Sequence, residues 1–192
     1  ELLDAVAKVD GVKRIRYTSP HPQDINEELL EIMAKHDNIC NYIHLPLQAG
    51  SNRILKRMNR TYTKEGFIDL AEKIRTFLPG VGISTDIIVG FPGETEQEFN
   101  ETLEVMRKVK FDSAFTFKYS PRKGTKAIEY DDQLSEKEKQ HRLTKVIELQ
   151  KFNTELRNQS YVNKVVDVLI EKKSKRNESK WAGRTDSNKW VI

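Results

Sequence analysis

The 192 residues hold a single cysteine, Cys40. That scarcity excludes an intramolecular disulfide and any metal or iron–sulfur centre assembled from several thiolates of this chain. Cys40 sits early in an apolar run and reads as a small buried hydrophobe; such cysteine usage fits a reducing, cytoplasmic setting. Long hydrophobic runs are missing too. Ile87 to Phe91 with its flanks falls well short of the roughly 20 apolar residues that span a bilayer, and the first residues form no basic, apolar, small-residue leader, so neither membrane association nor export is expected. No Gly-Lys-Ser/Thr follows a glycine turn at P-loop spacing, which removes support for nucleoside-triphosphate hydrolysis. No Ser/His/Asp or Cys/His arrangement offers a nucleophile. The chain is also short for a closed eight-stranded α/β barrel, which usually needs about 250 residues, so a barrel here would be partial or a piece of a larger protein.

What is present is a composition of 37% hydrophobic and 32% charged residues, enough for one core. The net charge of +4 is unevenly placed: residues 150–192 carry ten Lys/Arg against five Asp/Glu, leaving −1 for residues 1–149. A basic tail is the minimum requirement for a nucleic-acid partner, and a solvated charged surface accounts for it equally well.

Up to about residue 130, short apolar runs alternate with longer amphipathic ones, an α/β rhythm. The spacing predicts a helix over Leu2, Leu3, Val6 and Val9 ended by Gly11, and a short strand at Ile15-Arg16-Tyr17. A helix capped by Asp24 with Ile25, Leu29, Leu30, Ile32 and Met33 follows, then a strand from Tyr42 to Leu47. Two helices come next, one carrying Ile54, Leu55 and Met58, the other running from about Thr63 to Pro79-Gly80. Val81 to Val89 reads as a central strand, since Ile87-Ile88-Val89 is a β-branched run of the kind that a parallel sheet buries on both faces. Thr95 with Glu98 forms a capping box before Phe99, Leu103, Met106 and Val109. A last strand, Ala114 to Tyr119, precedes a second capping box, Ser135 with Glu138, and a helix running to about Gln159. From Val162 the pattern turns to short strands, with Val162 to Ile170, Trp181 to Thr185 and Trp190 to Ile192 separated by a charged loop at Glu171 to Lys180 and the Asp186-Ser187-Asn188 turn. About 30 such residues can hardly bury a core alone. The division is therefore residues 1–158 and 159–192.

In parallel α/β folds ligands bind beyond the carboxyl ends of strands. Four segments qualify: Thr18 to Pro22, His44 to Ser51, Gly90 to Thr95 and Tyr119 to Gly124. Gly90-Phe91-Pro92-Gly93-Glu94-Thr95 lets backbone approach a ligand at a positive helix end, and reads equally as an ordinary strand-to-helix turn. Gln48 offers donors and an acceptor suited to ribose hydroxyls, and Arg60 a planar fork suited to a carboxylate. A loop-stabilising amide and a solvated cation are their plainer readings. Asp86, set in an otherwise apolar strand, needs a partner, because an unpaired buried carboxylate is costly. His21 and His44 at strand ends fit a structural role as well as a ligand.

Taken together, Arg16-Tyr17-Thr18-Ser19-Pro20-His21-Pro22, His44-Leu45-Pro46-Leu47-Gln48-Ala49-Gly50-Ser51, Met58-Asn59-Arg60, Thr85 to Thr95 and Tyr119-Ser120-Pro121-Arg122-Lys123-Gly124-Thr125 resemble the radical-SAM methylthiotransferases, in order and spacing. The branch they are most similar to is the MiaB type, tRNA 2-methylthio-N6-dimethylallyladenosine synthases, and Gly183-Arg184-Thr185-Asp186-Ser187-Asn188 looks like the start of its RNA-binding TRAM domain. The resemblance implies a six-stranded partial (βα)6 barrel of TIM type, of which this α/β chain would hold the C-terminal part with about four strands, and a truncated small β domain. It also implies S-adenosylmethionine as cofactor, two 4Fe-4S clusters in the full-length enzyme with none in this chain, and tRNA, at the adenosine next to the anticodon, as partner. On matching positions, Gln48 and Asp86 would lie near the cofactor ribose, Arg60 near its methionine carboxylate, and Gly90, Phe91, Pro92, Gly93 and Glu94 near its adenine side. His21, His44, Ser51, Tyr119, Ser120 and Arg122 would border the cofactor or substrate at the barrel mouth, and Lys172, Lys173, Lys175, Arg176 and Arg184 would meet RNA phosphates.

The Cys-x3-Cys-x2-Cys motif of that family is missing, so its cluster cysteines and first barrel strands would precede residue 1. The chain alone is therefore expected to be catalytically inactive, and the unpaired edge of its parallel sheet to favour dimerisation. Two sibling branches remain as alternatives: the RimO type, acting on an aspartate of a ribosomal protein, and the MtaB type, acting on another tRNA adenosine. A non-catalytic RNA-binding α/β module is the alternative from a different class.

Overall fold

A computed structural model describes residues 1–18, 21–175 and 177–192. Ser19, Pro20 and the basic candidate Arg176 lie outside the described residues. The elements are α1 (Leu2–Ala7), α2 (Glu27–Lys35), β1 (Tyr42–His44), α3 (Asn52–Arg57), α4 (Lys64–Phe77), β2 (Gly82–Val89), α5 (Glu96–Val109), β3 (Ser113–Lys118), α6 (Glu136–Gln159), β4 (Leu169–Lys173), β5 (Trp181–Arg184) and β6 (Trp190–Val191). β1, β2 and β3 form a parallel sheet in that order, with Tyr42 opposite Gly82 and Ser84 opposite Ser113. Each crossover is helical, as parallel pairing demands.

Several sequence expectations need correcting. Ile15-Arg16-Tyr17 does not become a fourth strand: pairing stops after a single bridge, Ile15 to Ile39, where Arg16 turns to Glu171 and Tyr17 donates its hydroxyl to Met33. The cap of α2 is Asn26, whose side chain accepts the Leu29 N–H, rather than Asp24, which lies in a 3₁₀ turn at Pro22–Asp24. β1 ends at His44 and not Leu47, because Pro46 has no N–H for the ladder; pairing resumes at Gln48, whose N–H donates to Asp86 O and whose carbonyl accepts from Ile88 N–H. Ser135 caps α6, but Glu138 gives its carboxylate to Arg142 instead of closing a box. β4 begins only at Leu169 and takes in Glu171 to Lys173, which the sequence assigns to a loop.

The Thr95/Glu98 capping box forms with both bonds. Arg53 grips the same Glu98 carboxylate at 2.6 Å and, as the largest cause, holds its pKa down to about 2. One face of the sheet packs Ile83, Ile87 and Val89 into a core with Phe67, Ile74, Phe99, Met106, Phe111 and Val146. The other face is not packed. Side chains alternate along a strand, so Tyr42, His44, Asp86, Ile88, Phe115 and Phe117 share it, and Phe115 and Phe117 are 58% and 50% exposed. Burial on both faces, expected from the Ile87-Ile88-Val89 run, therefore holds on one side only, as for strands lining a barrel interior.

The small antiparallel sheet β4-β5-β6 docks at the amino ends of the parallel strands. Arg14 and Arg16 donate to the carbonyls of Arg184 and Thr185, Tyr161 bonds Ser187, and a Cβ on Gly82 would come within 2.5 Å of Ser187 O. Among the described residues no helix is long and apolar enough to cross a membrane.

Candidate functional site

The carboxyl ends of β1 and β2 bring Gln48, His44 and Asp86 together. Gln48 holds a left-handed φ of 68°, an unusual posture for a non-glycine residue. Both its backbone groups pair with β2, the residue is buried, and no hydrogen bond from its side-chain amide is recorded among the described residues. Asp86 is half-buried; its Oδ2 lies 3.3 Å from His44 Nε2, and its Oδ1 has no partner among the described residues. Arg60, following the left-handed Asn59 beyond α3, is half-buried, and among the described residues it has no ion-pair partner and its buried Nε no hydrogen-bond partner. Leaving a buried donor unsatisfied costs about 1–3 kcal/mol, which an anionic ligand would recover. Tyr62, two residues past Arg60, donates its hydroxyl to the carbonyls of Pro46 and Leu47, just before Gln48; burial pushes its pKa up to about 12. His21 sets its ring edge-on against Tyr62, and its Nδ1 accepts the Gln23 N–H.

The Gly90–Glu94 segment is placed differently from its expected role. The Gly90 N–H donates to Glu94 Oε2, the Gly93 N–H to Asp132 O, and the Thr95 N–H to Glu98, so the positive end of α5 spends these donors internally. Glu94 is buried against Arg142, with 2.9 Å between Oε2 and a guanidinium nitrogen. Burial outweighs these bonds and raises its pKa. Phe91 packs with Ala49, Ile54, Leu55, Tyr119 and Tyr130. Gly90 is required as glycine by its φ of 71° and by Lys139, whose side chain a Cβ would strike. This segment braces α3, α5 and α6, and Pro92 is buried with it. Ser51 is likewise used up: it caps α3 and donates to Glu98. Tyr119 is half-buried with an unpartnered hydroxyl, while Ser120 and Arg122 are exposed.

In the tail, Lys172 and Arg184 lie over the Trp190 ring at 4.8 and 4.4 Å, and Lys173 over Trp181 at 3.8 Å. Arg184 also donates to Asn188, whereas Lys175 is exposed. Trp181 and Trp190, 55% and 48% exposed, are not singled out by the sequence reading, although aromatics interleaved with cations are a stacking pattern. Ser84 and Tyr42, which contact one another and His44, escape it as well; their signal is cross-strand register, invisible in a linear pattern. Among the described residues no group of three His, Cys, Asp or Glu could hold a metal ion. With Cys40 alone and buried, the residues do not fit a 4Fe-4S cluster.

Comparison with known proteins converges on one family. Residues 1–106 match the Radical SAM superfamily, and residues 159–192 match the TRAM domain. The chain is 49% identical over 192 residues to tRNA-2-methylthio-N(6)-dimethylallyladenosine synthase of Carboxydothermus hydrogenoformans, covering 100% of this chain and 44% of that protein. It is 47% identical to the proteins of the same name from Clostridium tetani and Syntrophomonas wolfei, covering 42% and 43% of them. The chain thus spans less than half the length of these relatives. Among solved structures, coproporphyrinogen III oxidase from Escherichia coli, a Radical SAM enzyme, superposes with a TM-score of 0.58 at 20% identity, over 70% of this chain and 31% of that one, which shows the fold alone. The strand-end geometry, the one-sided sheet and the match over residues 1–106 agree, and the chain belongs to the radical SAM superfamily.

Proposed function

We propose that this chain is part of a tRNA methylthiotransferase that installs a 2-methylthio group on N6-isopentenyladenosine, next to the anticodon, in the cytoplasm. The observation that carries the reading is the set of polar groups left over around the strand ends: the buried Arg60 Nε with no partner among the described residues, and the Gln48 amide and Asp86 Oδ1, for which no hydrogen bond is recorded there. A zwitterionic nucleoside such as S-adenosylmethionine needs a carboxylate fork and acceptors for vicinal hydroxyls, so the residues fit it. When bound and reduced, that cofactor supplies a 5′-deoxyadenosyl radical able to abstract hydrogen from an unactivated carbon. Here Arg60 would hold the methionine carboxylate, and Gln48 and Asp86 the ribose. The backbone and side chains of residues 90–94 would fix the loop beneath the adenine rather than donate to it. The relatives' shared name supports the tRNA substrate. Deleting the full-length gene should leave tRNA with N6-isopentenyladenosine lacking its 2-methylthio group, restored on complementation; an unchanged nucleoside profile would sink the reading.

The tail supports an RNA contact at the other end of the strands. β2 spans about 26 Å at about 3.3 Å per residue, which is the distance that a bound RNA would have to bridge between the tail and the nucleoside site. Neutralising Lys172, Lys173, Lys175 and Arg184 in the full-length enzyme should weaken tRNA binding and lower the slope of log K against log salt by nearly one for each phosphate no longer neutralised. An unchanged slope would make these residues a solvated surface.

A further inference from the structure

Four polar side chains from two neighbouring strands lie in a row on the unpacked face of the sheet. Tyr42 Oη is 2.5 Å from Ser84 Oγ, Ser84 Oγ is 2.7 Å from His44 Nδ1, and His44 Nε2 is 3.3 Å from Asp86 Oδ2. Ser84 is fully buried, and its hydroxyl has a single proton to give. The order that serves the row has the ring proton on Nε2, toward the Asp86 carboxylate, which leaves Nδ1 to accept. Ser84 then donates to Nδ1 and accepts from the Tyr42 hydroxyl. Donors and acceptors then run in one direction, from Tyr42 at the start of β1 through Ser84 to the imidazole, whose Nε2 makes an ion-pair contact with the Asp86 carboxylate in the middle of β2. Phe115 closes the row from β3, its ring 5.8 Å from the imidazole and edge-on.

We propose that His44 is a positioning residue, held in one tautomer by Ser84 and Tyr42, that fixes the Asp86 carboxylate so that Oδ2 is spent within the protein and Oδ1 is presented to a ribose hydroxyl of the bound nucleoside. This rests on the reading of Asp86 as a ribose ligand. Nothing else on that face competes for the carboxylate: among the described residues no Lys or Arg pairs with Asp86, so the imidazole alone sets its orientation. A carboxylate aimed in advance binds a vicinal diol without losing rotamer freedom on binding.

The test uses the full-length enzyme with S-adenosylhomocysteine as probe, measured by equilibrium dialysis. Asp86→Ala should weaken binding by well over tenfold, and His44→Ala by about three- to tenfold, the scale of one ion-pair contact. The double variant should be no weaker than Asp86→Ala, because His44 acts only through that carboxylate. His44→Gln, whose terminal amide can reach the Nε2 position, should recover most of the affinity, whereas His44→Asn, which reaches only toward Nδ1, should not. Nitrogen NMR of the His44 ring should report the Nε2–H tautomer, with Ser84→Ala shifting the tautomer population at unchanged fold. If Asp86→Ala binds normally, the ribose reading fails. If Asp86→Ala is impaired but His44→Ala is not, or the two effects add, or the ring carries its proton on Nδ1, the positioning role is overturned.

Discussion

Replacing Asp112 with alanine is expected to cost about 3–5 kcal/mol of folding stability, the range for removing one partner of a buried ionic cluster. Asp112 is 4% exposed and sits in the short loop between α5 and β3. Its Oδ2 accepts the Ile83 N–H at 3.0 Å, its two oxygens take Arg157 Nε at 3.2 and 3.3 Å, and Oδ1 takes Lys189 Nζ at 2.9 Å. One carboxylate thereby ties β2, α6 and the turn before β6. Arg157 also donates to Val81 O, so the loss would spread along the start of β2. Alanine would strand a buried N–H and two cations; asparagine, which still accepts from Ile83, should cost roughly half as much. Urea denaturation of both variants measures this, and hydrogen exchange over residues 181–191 should rise in parallel, because Lys189 is that segment's ionic tie to the barrel. A loss under about 1 kcal/mol in Asp112→Ala would show that the cluster contributes little beyond what water provides.

Nothing in the linear pattern marks Asp112, whereas Thr95, Glu98 and the helices are plain in it, and the difference has a physical reason. Caps, amphipathic stripes and turn residues are local, and their partners lie within four positions, so a linear pattern contains them. α6 is legible from Ser135 to Gln159 for this reason, and β2 from its β-branched run. What a linear pattern cannot contain is register and long-range pairing. The one-sided burial of β2 depends on what stands opposite Asp86 and Ile88, and apolar residues lining a barrel interior look like core residues in sequence. Glu94 is placed near the adenine side only through the family resemblance, and its ion-pair partner Arg142 comes 48 residues later, from a helix to which the pattern gives no role at the site. The Ser51 bond to Glu98 crosses 47 residues and is equally out of reach of a linear pattern. Asp86 stands out in the linear pattern because a carboxylate inside a β-branched strand is chemically out of place, whereas Gln48 and Arg60 are ordinary residues where they stand and are singled out by what their groups could bind.

Arg60→Ala is expected to weaken S-adenosylhomocysteine binding by the full-length enzyme about 10–100-fold, the loss that follows when a bound carboxylate is deprived of its charged donor. Lysine should recover only part of it, because a point charge lacks the planar fork. The same substitution should leave folding stability unchanged or raise it by up to about 1 kcal/mol, since it removes a buried Nε that no protein group satisfies. Arg142 and Arg157 are the internal contrast: both are held by carboxylates, Glu94 and Asp112, and their removal should cost stability first. Arg142 and Arg157 thus differ from Arg60 by having carboxylate partners; the unsatisfied Nε that Arg60 shares with Arg57, Arg75 and Arg184 does not by itself mark a ligand site. Dialysis and urea denaturation on the same Arg60→Ala sample decide the matter: lost affinity at preserved stability supports the carboxylate site, whereas lost stability at preserved affinity would make Arg60 a structural residue and move the nucleoside elsewhere on the strand ends.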